Sequence, residues 1–440
     1  MGMDRWLAMH MAAAVAGGDW LGGWTPDYDS GPSYGYWLGL LYWLGSHQWL
    51  LAVIVQASLG AMVVPCIYRL GAACFSPQIG MLAAALTALY GPTIFYETLL
   101  VKFSLVPITV VVLLLLTERA RASGSTRHLV AAGLAGGIFV ALRSNALCVL
   151  PVLLWWLTRE LADPMTKLRV LAVFALAAML PLAPAFLRDR VAAAEGRGTS
   201  LWGIHFYIAA HEGADGTYAP VEGVTEDPIG HVIDAARVAE QAAGHPLTPT
   251  QVSLYWFRRG LEFARTNPLR TALLQLRKLR LALAGFEEGS FGDDFADAQA
   301  NSWVLALPLL RFGTIVPLAL LGMGVALGNR TGELLPAFIA TFVLSLLPFF
   351  VTGRYRLPIV VPMLVLAAVG LDWTDDALRR GAYGTVVAAV VGMLGVSFGL
   401  PGGATDVWAV LALVLIALLG LRLLRRTVAA DHQPARSAAR

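Results

Sequence analysis

The chain has 440 residues, of which 57% are hydrophobic and only 14% charged, with a mean hydropathy of +0.66 and a formal net charge of +3. Soluble domains carry roughly 25% charged residues, so a soluble fold could not hide this much apolar surface. The 44 glycines and 23 prolines show no period, and apolar residues dominate, which excludes collagen-like and disordered chains.

Residues 1–46 hold Asp4, Arg5, His10, Asp19, Asp27 and Asp29, too many charges for a span, and they lack the basic start and apolar middle of a signal peptide. They read as an extracytoplasmic first loop: Met3-Asp4-Arg5-Trp6, an Ala-rich helical run, then Gly-rich segments. A translocated N-terminus with no span before it is unusual, so a first helix is expected to be missing upstream of Met1. Trp and Tyr near 34–49 fit an interfacial aromatic belt.

Apolar runs near the length that a bilayer demands then follow at 47–70, 78–96, 99–117, 128–142, 145–158 and 168–187, and again at 312–328, 333–351, 357–371, 380–399 and 405–424. That makes about eleven spans, the fourth and fifth forming a short pair around Arg143-Ser144-Asn145. The polar stretch 188–302 between the two groups reads as helical at 229–243, from Thr248-Pro249 to Arg265, and over 269–284, with a capping residue and Pro opening the second. The third helix sets Arg270, Arg277, Lys278 and Arg280 against leucines. Two readings stand side by side for it: attraction to an anionic membrane surface, or packing on neighbouring helices.

Basic residues in short loops resist translocation. Arg69, Arg119, Arg121, Arg127, Arg159, Lys167, Arg169, Arg330, Arg379 and Arg380 fall in alternate loops, which are therefore expected in the cytoplasm, together with the basic tail. The expected organisation is a first loop with interfacial helices (1–46), an N-terminal bundle (47–187), an extracytoplasmic helical domain (188–302), a C-terminal bundle (303–428) and a cytoplasmic tail (429–440). Cys66, Cys74 and Cys148 read as small buried hydrophobes. No metal-ligand spacing occurs, and Glu287, Glu288, Asp293 and Asp294 read as a solvated acidic turn. No cofactor is expected, no divalent metal is indicated, and no nucleic-acid partner is anticipated.

Charges at the outer ends of spans are costly unless used. By the orientation above, Asp4, Glu97, Lys102, Arg143, Arg354 and Arg356 all gather at one interface, with Tyr355 between the last two arginines. Each has a structural alternative: Asp4 as a helix cap, Glu97 as a partner of Lys102, Arg143 as an anchor for turn carbonyls or headgroups. His205, His211 and His231 read as loop hydrogen-bonders.

In their order along the chain, these motifs resemble the GT-C superfamily of integral-membrane glycosyltransferases. The similarity is to glycosyltransferase family 39, which includes protein O-mannosyltransferases and the lipid A aminoarabinose transferase. The motifs are the acidic first loop, Gly17-Gly18-Asp19-Trp20-Leu21-Gly22-Gly23, Leu89-Tyr90-Gly91-Pro92 with Phe95-Tyr96-Glu97, Leu142-Arg143-Ser144-Asn145, Trp202 to Tyr207, Ala214 to Tyr218, and Arg354-Tyr355-Arg356-Leu357-Pro358. The chain departs from that pattern where Arg5 follows Asp4 and where Pro32-Ser33-Tyr34-Gly35-Tyr36 stands for Pro-Leu-Tyr-Pro-Tyr.

The resemblance implies a helical membrane bundle with a small helical extracytoplasmic domain, in the plasma membrane of a bacterium. It implies inverting transfer of a hexosyl or pentosyl group from a polyprenyl-phosphate donor to a glycan, lipid or protein hydroxyl outside the cytoplasm. Asp4 stands where the family places its catalytic acid, with Glu97 as a second acidic candidate. Arg354, Arg356, Arg143 and Lys102, in that order, are the candidates for the lipid phosphate, beside Tyr355. The alternatives are a transporter or flippase for a lipid-linked glycan, which would be expected to show internal repeats, and a catalytically degenerate relative.

Overall fold

The computed structural model describes residues 3–22, 31–45, 48–194, 200–284, 295–307, 309–382 and 384–385. Its helices in chain order are α1 (Met3–Ala16), α2 (Gly31–Leu44), α3 (Trp49–Cys74), α4 (Pro77–Ala88), α5 (Gly91–Thr98), α6 (Val106–Ser123), α7 (Thr126–Leu142), α8 (Leu150–Thr158) and α9 (Pro164–Met179). They continue with α10 (Ala183–Ala194), α11 (Trp202–Ile208), α12 (Pro228–Ala243), α13 (Pro249–Thr266), α14 (Pro268–Leu283), α15 (Phe295–Asn301), α16 (Phe312–Ala326), α17 (Leu334–Leu346) and α18 (Leu357–Arg379). Three 3-10 turns matter below: Lys102–Leu105, Ser144–Val149 and Gly353–Arg356.

Among the described residues, four stretches are long and apolar enough to cross a membrane: Trp49–Cys74, Lys102–Ser123, Pro164–Ala192 and Gly353–Arg379. Five shorter apolar helices fall at five further expected spans but lack the length that crossing by a single helix needs, so four of the eleven expected spans are met by helices of spanning length among the described residues. The expected spans 380–399 and 405–424 lie almost wholly outside the described residues, as does the tail. In Gly353–Arg379, 78% of the apolar window is buried inside the protein, against 17% in Pro164–Ala192. The first is therefore the central helix, and the second shows most of its apolar surface to the bilayer. Trp43 and Trp49 are exposed, as a belt at the interface requires, whereas Tyr34 is fully buried. Cys74 is buried as expected, but Cys148 is exposed beside Leu147, because the turn carrying it faces out of the bundle.

The expected span 78–96 is two helices. Pro92 has no N–H to continue a ladder, and Tyr90 is extended at φ −83°, ψ 101°. The interrupted backbone pairs with a distant segment instead: Gly91 N donates to Leu310 O at 3.0 Å and Leu310 N to Leu89 O at 2.8 Å. Pro181 similarly converts the middle of 168–187 to a short 3-10 turn, Leu180–Leu182. The loop helices begin and end within one residue of their expected bounds, since their Pro and cap residues are strong local signals.

The bundle is fastened at both ends. At one, Glu118 accepts from Trp156 Nε1 at 2.5 Å and from Arg121 Nη2 at 3.2 Å. The guanidinium of Arg159 lies 3.7 Å from the Trp156 ring centroid and reaches Glu333 at 2.6 Å. At the other end, Val351 N donates to Gly216 O at 2.9 Å, Arg188 Nε to Leu21 O at 3.1 Å and Lys278 Nζ to Leu347 O at 3.0 Å. The segments assigned to one side by charge are thus joined to one another by direct bonds. Cysteines placed at Glu222 and at Ser123, in a chain lacking Cys66, Cys74 and Cys148, should label from opposite sides with an impermeant thiol reagent. Both residues are exposed. Labelling of Ser123 from outside alone would invert the orientation.

α16 and α18 pack side by side with no side chain between them at one level. A Cβ on Gly322 would lie 1.8 Å from Leu366 O, and one on Gly370 would lie 2.1 Å from Leu318 O. Small residues allow backbones this close in membrane bundles.

Candidate active site

Three interrupted helices build the site. α7 stops at Arg143, whose extended φ of −144° and ψ of 98° end the ladder before the Ser144–Val149 turn. The extended stretch Leu99–Val101 leads into the Lys102–Leu105 turn, and Thr352 leads into Gly353–Arg356. Each break sets a cation at a helix end inside the protein: Lys102 is 8% exposed, Arg143 7%, Arg354 1% and Arg356 2%.

Two aromatic rings hold three of them together. The Arg143 guanidinium lies 4.3 Å from the Tyr355 ring centroid and 5.3 Å from that of Phe103. Arg354 lies 5.0 Å from Phe103, and Lys102 Nζ 5.6 Å. A cation over a ring face gains roughly 0.5–2 kcal/mol, more when desolvated, and a planar guanidinium is oriented by it as an ammonium is not.

A cavity of about 520 Å³ opens against this cluster. Lys102, Arg143, Asn145 and Tyr355 form one wall, with Asp189 and His205 nearby, and Val140, Leu142, Leu182, Leu346 and Phe349 supply apolar surface. Pro32 and Ser33 at the start of α2 also reach it. Asn145 Nδ2 donates to Ser345 Oγ at 2.9 Å, which fixes the turn to α17. Arg354 and Arg356 do not line the cavity. Arg354 lies 5.0 Å from the Phe103 centroid and 5.8 Å from that of Tyr355, and Arg356 turns away, donating to Ala284 O at 2.5 Å with its guanidinium 4.3 Å from the Phe312 centroid. The order expected from sequence is thereby reversed in space: Arg143 and Lys102 face the cavity.

Of the two acidic candidates, Asp4 lies in the first turn of α1, and its side chain lies outside the described part of the structure. Glu97 is placed against α3, its carboxyl occupying the space a Cβ on Gly60 would fill. It has no ion-pair partner among the described residues, so the structural alternative in which it pairs with Lys102 is not met there. Burial pushes its carboxyl up to about 7. Glu97 does not line the cavity, whereas Asp189 does, ion-paired with Arg188 at 3.1 Å. Sequence reasoning passed over Asp189 because Arg188-Asp189-Arg190 reads as the ordinary charged end of a span. A carboxylate between two arginines at that interface was the available signal. His205 faces the cavity too, with its ring 6.2 Å from Phe350, edge to face.

On the basic face of α14, Lys278 packs inward while Arg270 and Arg277 stay exposed. Arg270 donates to Glu212 O, Arg277 pairs with Asp215 at 3.7 Å, and Lys278 is fully buried, donating to Ala209 O at 2.9 Å and to Leu347 O at 3.0 Å. Burial pulls the Lys278 ammonium down to about 8 from an ordinary 10.5. The folded state then binds fewer protons than the unfolded one between those values, so this residue's contribution to stability rises as pH climbs from 8 to 10.5. Unfolding measured across that window should show wild type gaining stability relative to Lys278→Met. Parallel curves would mean that Lys278 keeps its ordinary affinity for a proton.

No protein-family model matches the chain, and no curated protein does. Among solved structures, it is similar to the archaeal oligosaccharyltransferase AglB from Archaeoglobus fulgidus in complex with an inhibitory peptide and a dolichol-phosphate. Identity is 14% and the TM-score 0.45, over 96% of this chain and 51% of that one. The apo form of the Archaeoglobus fulgidus oligosaccharyltransferase matches at 14% identity and a TM-score of 0.44, over 94% of this chain and 52% of that one. The chain therefore spans about half the length of the structures it matches.

Proposed function

We propose that the protein is a membrane glycosyltransferase that moves a sugar from a polyprenyl-phosphate carrier to a hydroxyl acceptor. The observation that carries this reading is the cavity wall. Two cations, each more than nine-tenths buried, stand at helix ends beside an apolar surface among lipid-facing helices. Fixed cations beside an apolar surface suit a lipid phosphate, whose anion meets the charge and whose tail meets the apolar wall. The sequence motifs point the same way.

In the proposed step, the acceptor oxygen attacks the anomeric carbon from the face opposite the phosphate and passes its proton to the Asp4 carboxylate. The carbon–oxygen bond to phosphate breaks, and the polyprenyl phosphate leaves with the electron pair. Arg143 and Lys102 stabilise the charge that grows on the leaving oxygen, where fixed donors act most strongly. Arg354 shares the Phe103 and Tyr355 rings with Arg143 and adds its charge from outside the cavity wall.

The test is reconstitution in liposomes with a polyprenyl-phosphate hexose or pentose labelled in the sugar, plus candidate glycan, lipid and peptide acceptors. Release of polyprenyl phosphate with inversion at the labelled carbon is the expected result. Movement of intact donor between leaflets without cleavage would establish the transporter reading in its place.

A further inference from the structure

Tyr34 and Gln56 are both fully buried, and neither lines the cavity, yet they tie together two of its walls. The Tyr34 hydroxyl donates to Gln56 Oε1 at 2.5 Å, and Gln56 Nε2 donates to Leu99 O at 3.1 Å. Tyr34 follows Pro32 and Ser33 on α2, while Leu99 and Ser104 bracket Lys102. Polar side chains this deep in a membrane bundle are costly unless satisfied, and these satisfy one another across three elements.

The segment they hold has little helical bonding of its own. Leu99 and Val101 are extended, at φ −90° and −136°, between the end of α5 and the turn that carries Lys102. Leu99 O accepts only a short-range bond from Val101 N at 2.9 Å within the chain. Gln56 adds a second donor from α3, and Ser104 Oγ donates to Val101 O at 2.8 Å. We infer that Tyr34 and Gln56 are positioning residues, which set the height of Lys102 on the cavity wall relative to the start of α2. The inference rests on the reading above that Lys102 meets the donor phosphate.

A double-mutant cycle tests it, with polyprenyl phosphate as the probe and its affinity for the full chain in nanodiscs as the readout. Tyr34→Phe keeps the ring and removes the hydroxyl. It should weaken binding by roughly three- to tenfold, the range expected for one lost hydrogen bond. Gln56→Met keeps the volume and removes both bonds, and should weaken binding by at least as much. In a Lys102→Gln background, neither substitution should weaken binding further, because a residue acting through Lys102 has nothing left to position. Thermal unfolding of each variant is measured alongside. A variant that loses stability but keeps its full affinity for the probe marks a purely structural pair and overturns the inference. So does an effect of equal size in both backgrounds. If Lys102→Gln and Arg143→Gln both leave affinity at the wild-type level, the phosphate reading of the cavity fails instead.

Discussion

Arg143→Gln will lower turnover of a polyprenyl-phosphate sugar by about 10²- to 10³-fold, the typical loss when one fixed donor to a developing charge is removed. Glutamine retains length and two N–H groups but neither the charge nor the bidentate fork. Arg143→Lys keeps the charge and should recover part of the rate, since an ammonium neither stacks flat on Tyr355 nor donates in parallel. The fall should appear in kcat more than in carrier affinity, because charge on the leaving oxygen grows only as the bond breaks. Arg354→Gln should cost less turnover, because Arg354 does not line the cavity. Arg356→Gln should show chiefly as lost stability, since its partners are Ala284 O and the Phe312 ring. Single-turnover rates and carrier titrations on the same preparations separate these effects. An Arg143→Gln enzyme with normal kcat and weakened acceptor affinity would move the phosphate elsewhere.

Asp4→Asn should remove about 10²- to 10⁴-fold of the transfer rate, the usual worth of general base catalysis. Expression and carrier binding should be preserved. The amide keeps the size of the side chain and caps a helix as well as the carboxylate does, so a purely structural Asp4 predicts almost no change. Turnover above about half of wild type would return Asp4 to that structural role and put Asp189 first among the carboxylates that face the cavity. The same assay on Asp189→Asn then decides between them.

The helices of this protein were legible because proline, caps and long apolar runs are local signals. Thr248-Pro249 opens α13 where the chain says it should, and Asn267-Pro268 ends it. The break at Tyr90-Gly91-Pro92 was less legible, since its hydrogen bonds go to Leu310, more than two hundred residues away, and an apolar window averages across it. Three members of the cation cluster, Lys102, Arg143 and Arg354, were legible, because basic residues at the ends of spans are conspicuous against the charge bias. Arg356, expected with them, turns away to Ala284 O and Phe312 instead. The internal geometry of the cluster was not legible. Nothing in Arg354-Tyr355-Arg356 says that one arginine shares the Phe103 ring with Arg143 and the other crosses to Phe312, since that depends on how a 3-10 turn points each side chain. Likewise, Lys278 looked like one member of a basic face, and only the carbonyls of Ala209 and Leu347 explain its burial.

The backbone contact between Gly322 and Gly370 has a mechanical consequence. Two helices meeting carbonyl to glycine possess a single register: displacement by one residue would drive a Cβ into the opposite main chain, with no rotamer available to relieve it. Arg356 over Phe312 makes a second point of attachment at the same ends of both helices. Fixed at two heights, α16 and α18 translate and rotate only as one beam. The Gly353–Arg356 turn sits at the tip of that beam, so Tyr355 presents an unyielding face to Arg143. Compliance for admitting and releasing bulky substrates then belongs to α10, which is largely exposed and lines the cavity with Ala185 and Asp189.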